Sequence, residues 1–353
     1  MFDTNLTERS MTTAIKPQTD GRQAWDVVMN LHISLPVLIA HDLNLFTLLN
    51  EQPLTFEEIS QKLGLTSRAT QVLISAGCVT EFIKLEHEHY SLTQVAKEYS
   101  LRNSSTSFCE YFDLIINNAD ILSYSNFRQA ILNDVTQVYQ GQELFEVHEQ
   151  ENEKAKTFTR AMHSASIPAA FAWPTTLDLS NNQKMLDIGG GSGAHCIGAT
   201  QQWNNLQASV FDLKSICEIA QEFITEQNLQ DRINTVAGDM WKDPFPEADL
   251  HFYSLIYHDW SPEECKFLTQ KSFDSLEPGG RIIIHEWLFN NEKTGSYAAA
   301  AYNALMLLWC PQGQQYSGRE LTQMLSDAGF IDIQTQSTFA YWSIVTGCKP
   351  VES

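Results

Sequence analysis

The sequence predicts an α/β protein: a doubly wound sheet with an antiparallel final strand, preceded by a mainly α domain of winged-helix type. Three observations carry this expectation. An apolar run, Met185-Leu186-Asp187-Ile188, breaks into four glycines within five residues (Gly189-Gly190-Gly191-Ser192-Gly193) and then into a helix-compatible segment, Ala194 to Trp203. Beyond it, extended and helical stretches alternate as a parallel sheet demands. Ahead of it, helical periodicity dominates and little strand signal occurs before Glu81.

The first half reads as follows. Trp25, Val28, Met29, His32, Ile33, Pro36 and Val37 recur at helix spacing, and Leu43 to Leu49 continue the pattern. Thr55 with Glu58 three residues on is a capping-box pattern, and Gly64 ends the helix it starts. A further helix runs from Ser67 to about Gly77, and two extended pieces, Phe82 to Leu85 and His89 to Leu92, flank a polar turn. Helix, turn, helix and hairpin make a winged helix. Between Thr66 and Cys78, Arg68 is the only cation, whereas a helix that reads DNA needs exposed groups for phosphates and base edges. The module is therefore expected to dimerise and to supply a pocket wall. Phe108 to Leu132 is helix-compatible and carries Tyr111, Phe112, Asn117, Asn118, Tyr124 and Phe127, suited to packing or to ligand contact. A boundary falls near Pro174 to Gln183. The expected division is a tail (1–20), a winged-helix domain (21–105), a helical linker and pocket wall (106–174) and a catalytic domain (175–353).

In the second half, strands are expected near 185–188, 208–212, 233–237, 249–256 and 281–286, with 331–336 and 340–347 as an antiparallel pair. The formal charge of −21 disfavours nucleic acid and anionic membranes as partners. Glu143, Glu146, Glu149, Glu151 and Glu153 read as a solvated helix face. Seven scattered cysteines without CxxC pairs suit reduced thiols in a cytoplasm. Met1 to Thr13 shows no signal-peptide pattern. Ala298 to Cys310, read as the longest apolar stretch, is too short to span a bilayer and is expected as a buried helix.

The glycine turn between strand and helix directs free N–H groups at whatever lies above it. Asp212 ends the next apolar run, 19 residues past Gly193, where a carboxylate can hold ribose hydroxyls. Gly189-x-Gly191-x-x-Ala194 also satisfies the dinucleotide fingerprint, which keeps an NAD-dependent oxidoreductase open. Two features favour S-adenosylmethionine. Asp187 would repel a pyrophosphate but suits a cationic amino-acid moiety. Ala237-Gly238-Asp239-Met240-Trp241 closes a third strand with an acid for an adenine amino group, and Met240 and Trp241 offer faces for the ring.

Sites in open α/β sheets lie at the carboxyl ends of the strands. Two strands end in Tyr257-His258-Asp259-Trp260 and in His285-Glu286-Trp287. A histidine titrates near neutrality and can take the proton of a methyl acceptor, while a carboxylate on its other ring nitrogen fixes the tautomer. His258 is expected as general base and Glu286 as its orienter; strand alternation turns His285 away. His258, Asp259 and Glu286 lack HxH or HxxxH spacing, so no metal is expected.

Asp-Ile-Gly-Gly-Gly-Ser-Gly, Phe-Asp-Leu, Gly-Asp-Met-Trp, Tyr-His-Asp-Trp-Ser and Ile-Ile-His-Glu occur in order. Together they resemble the S-adenosylmethionine-dependent O-methyltransferases of the caffeic acid and hydroxyindole type, over about Gln23 to Lys349. The resemblance implies a Rossmann-like methyltransferase sheet and a homodimer with interlocked N-terminal domains. It implies cofactor contacts at Gly189, Asp212, Leu213, Asp239 and Met240, to which the residue reading adds Asp187, Gly191 and Trp241. Ser166 matches a serine near the methionine moiety. Met162, Met306, Trp309 and Cys310 match acceptor-pocket positions, with Asp259 beside the base. Ser254 stands where plant members carry a cofactor-contacting lysine, Gln315 where they carry a second glutamate flanking the base, and Lys214 where a proline follows Asp212-Leu213. The expected activity is methyl transfer to a hydroxyl of a small, partly aromatic secondary metabolite. Carbon or nitrogen methylation, including that of α-keto acids, shares the scaffold; a winged-helix regulator or a catalytically silent member are further alternatives.

Overall fold

The structure, a computed structural model, describes residues 17–141, 147–148 and 150–351. Most of the expected tail, and Glu143, Glu146 and Glu149 of the acidic face, lie outside the described residues; Glu151 and Glu153 are exposed. The chain divides into two compact units, 1–96 and 97–353.

The first unit holds α1 (Arg22–Asp42), α2 (Leu45–Glu51), α3 (Phe56–Leu63), α4 (Ser67–Val79) and an antiparallel hairpin, β1 (Ile83–Glu86) with β2 (His89–Leu92). Thr55 accepts from the Glu58 amide while Glu58 reaches back to the Thr55 amide, so the expected capping box starts α3; Gly64 ends it in the left-handed conformation. α1 departs from expectation. Trp25, Val27, Leu31 and Leu35 along it are exposed, and the helix is long and apolar enough to cross a membrane, with only 17% of its apolar window buried. Its polar interruptions (Asn30, His32, Ser34) hid it from a search for an unbroken apolar run.

The second unit begins with α5 (Gln94–Tyr99, entered from the first), α6 (Cys109–Asn117), α7 (Tyr124–Asn133) and α8 (Asn152–Ala172). The single helix expected over 108–132 is two. The Asn118 side chain donates to the Leu114 carbonyl (2.8 Å), and Ser123 caps a fresh start. Short polar side chains compete with the helix ladder in this way.

The sheet comprises β3 (Lys184–Ile188), β4 (Gln207–Asp212), β5 (Ile233–Ala237), β6 (Leu250–Ser254), β7 (Arg281–Glu286), β8 (Ile331–Ser337) and β9 (Ser343–Cys348). Their order is β5-β4-β3-β6-β7-β9-β8, with β9 antiparallel to both neighbours and β3 to β7 parallel. α9 (Ala194–Gln202), α10 (Lys214–Glu226), α11 (Pro262–Ser275), α12 (Tyr297–Trp309) and α13 (Gly318–Ala328) complete the unit. Strand alternation sorts the core into two layers. Met185, Val210, Phe252 and Ile283 pack with Cys196 and Ile197 of α9 and Phe223 of α10. Leu186, Phe211, Tyr253 and Ile284 pack with Leu268 of α11 and Leu325 of α13. The order reverses at β3, so the glycine turn that follows β3 lies at the switch point where doubly wound sheets take ligands.

Candidate active site

A cavity of about 1180 Å³, counted to its open mouth, lies over the carboxyl ends of β3, β4 and β6. One end is built by strand ends. Gly191 sits at φ +54°, in the left-handed region, and a Cβ added there would meet no atom within 4 Å, so its side faces open space. Its amide donates to Asp212 Oδ2 (2.8 Å), and the Leu213 amide donates to Oδ1 (2.7 Å). Burial pushes the Asp212 carboxyl up to about 6 against those two amides. Asp187 accepts from Cys196 Sγ (3.5 Å) and is pushed up to about 7, chiefly by burial. Gly189, Leu213, Ser166 and Ser254 line this cavity too. Ser254 Oγ is 3.2 Å from His285 Nδ1. His163 of α8 steadies the turn through Ser192 Oγ (2.8 Å).

The other end is built by helices. Met162 of α8, with Tyr302, Met306 and Trp309 on one face of α12, forms an apolar wall, and Cys310 follows. Cys310 Sγ donates to Asp259 Oδ1 (3.0 Å).

His258 joins the two ends. β6 stops at Ser254 rather than at 256, because Leu255 adopts φ 55° and turns the chain. A non-glycine residue held there costs about 1 kcal/mol, the kind of strain that clusters at active sites. The turn aims the amides of Ile256 (3.1 Å) and His258 (3.4 Å) at Glu286 Oε1, while Glu286 Oε2 takes Nδ1 of His258 at 2.8 Å. His258 Nε2 is left on the cavity side, 3.4 Å from Asp259 Oδ1. Burial disfavours the imidazolium, but Glu286 and Asp259 outweigh it and push His258 up to about 9. His285 faces the opposite sheet layer, stacked on Trp342 with centroids 4.5 Å apart.

The remaining expected residues are not among those that line the cavity. Glu286 stands behind His258. Asp239 and Met240 lie on the turn after β5, where the Asp239 carboxylate holds the Trp241 amide (2.8 Å) and Lys242 (2.6 Å). Trp241 packs edge-on against Trp260. Gln315 is buried, and its side-chain oxygen and nitrogen meet no partner among the described residues. Sequence reasoning passed over Tyr302, whose ring centre lies 5.4 Å from that of His258. Its spacing of four before Met306 was the available signal.

The cavity thus brings a glycine turn with strand-end carboxylates together with a carboxylate-held histidine. The chain belongs to the O-methyltransferase domain family, whose model matches residues 124–331, and it is a methyltransferase. It is 28% identical over 284 residues to 3-hydroxy-5-methyl-1-naphthoate 3-O-methyltransferase of Streptomyces sahachiroi, covering 79% of this chain and 80% of that protein. It is equally 28% identical over 298 residues to L-tyrosine C(3)-methyltransferase of Streptomyces lavendulae, covering 82% and 81%. The fold matches the crystal structure of human N-acetylserotonin methyltransferase in complex with SAM, with a TM-score of 0.83 at 23% identity, covering 96% of this chain and 100% of that one.

Proposed function

We propose that the protein methylates a hydroxyl of a small aromatic acceptor, with His258 as general base oriented by Glu286. The observation that carries this reading is the 2.8 Å contact between His258 Nδ1 and Glu286 Oε2, which leaves Nε2 toward a cavity shared with the glycine turn.

The donor is S-adenosylmethionine, which supplies a methyl group on an electron-poor sulfonium. The residues present suit it: the open side of Gly191 admits a close ligand, and the half-buried Asp212 carboxylate lies beside that opening. Asp212 would hold ribose hydroxyls, Asp187 the amino-acid end with Ser166 nearby, and Asp239 the adenine edge. Met162, Met306 and Trp309 hold a flat acceptor. Its hydroxyl proton passes to Nε2 of His258, and Glu286 and Asp259 stabilise the imidazolium formed. Ionising a phenol also enriches its ring carbons, so the same base serves carbon methylation; the tyrosine C-methyltransferase relative supports that second reading.

Two further assignments go with this one. The exposed apolar length of α1 is covered by the same helix of a second copy, giving a homodimer; sedimentation at the mass of one chain would refute this. All seven cysteines are free thiols, which suits the cytoplasm.

The direct test is calorimetric titration with S-adenosylhomocysteine, with NADH in parallel. Binding of the former alone, on the order of micromolar, is expected. Binding of NADH alone, or of neither, overturns the reading.

A further inference from the structure

We propose that the Tyr302 hydroxyl, backed by that of Tyr111, is a second catalytic group: it donates a hydrogen bond to the acceptor oxygen as His258 removes its proton. This rests on the methyl-transfer reading and adds to it a donor that steadies the developing phenolate.

Both side chains line the cavity. Tyr302 comes from α12 and Tyr111 from α6, and their hydroxyls are hydrogen-bonding neighbours. Two hydroxyls that share one hydrogen bond keep one proton over, which can reach a ligand. The hydroxyl that receives the shared bond becomes the better donor. Tyr302 is the member in ring contact with the base, its centre 5.4 Å from that of His258.

That ring is held from several sides. Trp287, the residue after Glu286, packs against it with centres 4.7 Å apart. The chain beyond α12 ties the helix to the base itself. The Gln314 amide donates to the His258 carbonyl (2.8 Å), and the next amide, that of Gln315, donates to Asn303 Oδ1 (2.8 Å), beside Tyr302 in the sequence. Base and hydroxyl thus share one hydrogen-bonded frame, and a donor fixed in this way stabilises charge without rearranging.

The chemistry gives this donor a task. When the acceptor O–H bond breaks, the proton goes to Nε2 of His258 and the electron pair stays on oxygen, which attacks the methyl carbon as the carbon–sulfur bond breaks. Until the new C–O bond forms, that oxygen carries charge beside the base and the two carboxylates that hold it. A neutral hydroxyl stabilises the charge there without competing for the imidazolium. Tyr302 keeps its own proton throughout: burial holds its phenol well above the ordinary tyrosine range, and burial likewise pushes Tyr111 up to about 12.

The test is Tyr302→Phe, which keeps the ring and its contacts and removes only the oxygen. The probe is 4-nitrophenol, whose ionisation is read by absorbance, bound across pH to the S-adenosylhomocysteine-loaded enzyme. Bound to the wild type it should ionise at least about one pH unit lower than in the variant, a tenfold difference. Tyr111→Phe should move it the same way by less, about threefold in the ionisation constant. In turnover, Tyr302→Phe should lower kcat about tenfold or more for weakly acidic phenols, and the loss should shrink as the acceptor becomes more acidic. An unshifted ionisation, a kcat loss equal for all phenols, or failure of 4-nitrophenol to bind the wild type overturns the proposal. Should Tyr302→Phe melt far below the wild type, the Tyr111→Phe shift decides alone, and its absence overturns the proposal. Failure of S-adenosylhomocysteine to bind would instead overturn the methyl-transfer reading, and the nitrophenol shift on the free enzyme would still decide this one.

Discussion

Glu286→Gln is the most informative single perturbation, because it removes a charge while keeping an acceptor for His258 Nδ1. The two side chains meet at 2.8 Å and are both buried, so solvent screens them little. With charge centres about 5 Å apart and an effective dielectric of about 20, the attraction is worth about 3 kcal/mol, or roughly two pH units. His258, held at about 9 by Glu286 and Asp259 against burial, should fall to about 7 in the variant. The neutral ring is the base, so activity should rise with pH through the pKa of His258. The assay is kcat/KM against pH with any turned-over phenol. The wild type should climb to an inflexion near 9, and the variant to one about two units lower with a plateau reduced about a hundredfold or more. An unmoved inflexion, with donor affinity intact, would refute the claim that Glu286 sets the proton affinity of His258. The same linkage reaches stability. Raised from 6.5 to about 9, His258 contributes fully below pH 6.5, and its contribution fades as pH climbs through 9.

Three other outcomes are expected. His258→Ala should cost about a thousandfold in turnover and leave S-adenosylhomocysteine affinity near wild type; unchanged turnover removes His258 from the mechanism. Asp187, raised from 3.8 to about 7 by burial, stabilises the fold when protonated and loses that contribution as pH climbs through 7. Asp187→Asn should therefore flatten the fall in melting temperature of the ligand-free protein over that range while weakening donor binding; an unaltered profile refutes the assignment. Gly191→Ala and Gly198→Ala should separate binding from folding. At Gly191 a Cβ meets only open space, so the fold survives at a cost of about 1 kcal/mol while calorimetry shows weakened donor binding. At Gly198 the Cβ would lie against the carbonyl oxygen of Ala170, and the melting temperature should collapse.

The sheet was legible because its signals are local. Each strand announces itself by composition, β3 and β5 run into a glycine and β4 and β7 end on an acid, so the parallel core and the antiparallel β8–β9 pair followed from the sequence. Strand parity also separates Glu286 from His285: Glu286 shares its layer with Ile284, and His285 shares the layer of Phe252 and Trp173. What the sequence hid was whatever depends on a break or on a partner. Nothing local marks Leu255 for a left-handed turn, since the strain is imposed by Glu286 gathering the amides of Ile256 and His258 from another strand. α1 looked like an ordinary amphipathic helix because the pattern counts apolar residues without saying which of them find a neighbour.

The same distinction explains why the donor end could be argued residue by residue while the acceptor end came only through resemblance. Asp187, Gly191 and Asp212 stand at the ends of adjacent strands, so backbone geometry alone brings them together. Tyr111, Met162, Tyr302 and Trp309 come from three helices separated by long stretches of chain, and each sits at a helical spacing that also describes plain core. Helix walls can exchange side chains without disturbing the strand ends that position donor and base, so size and polarity there are free to vary.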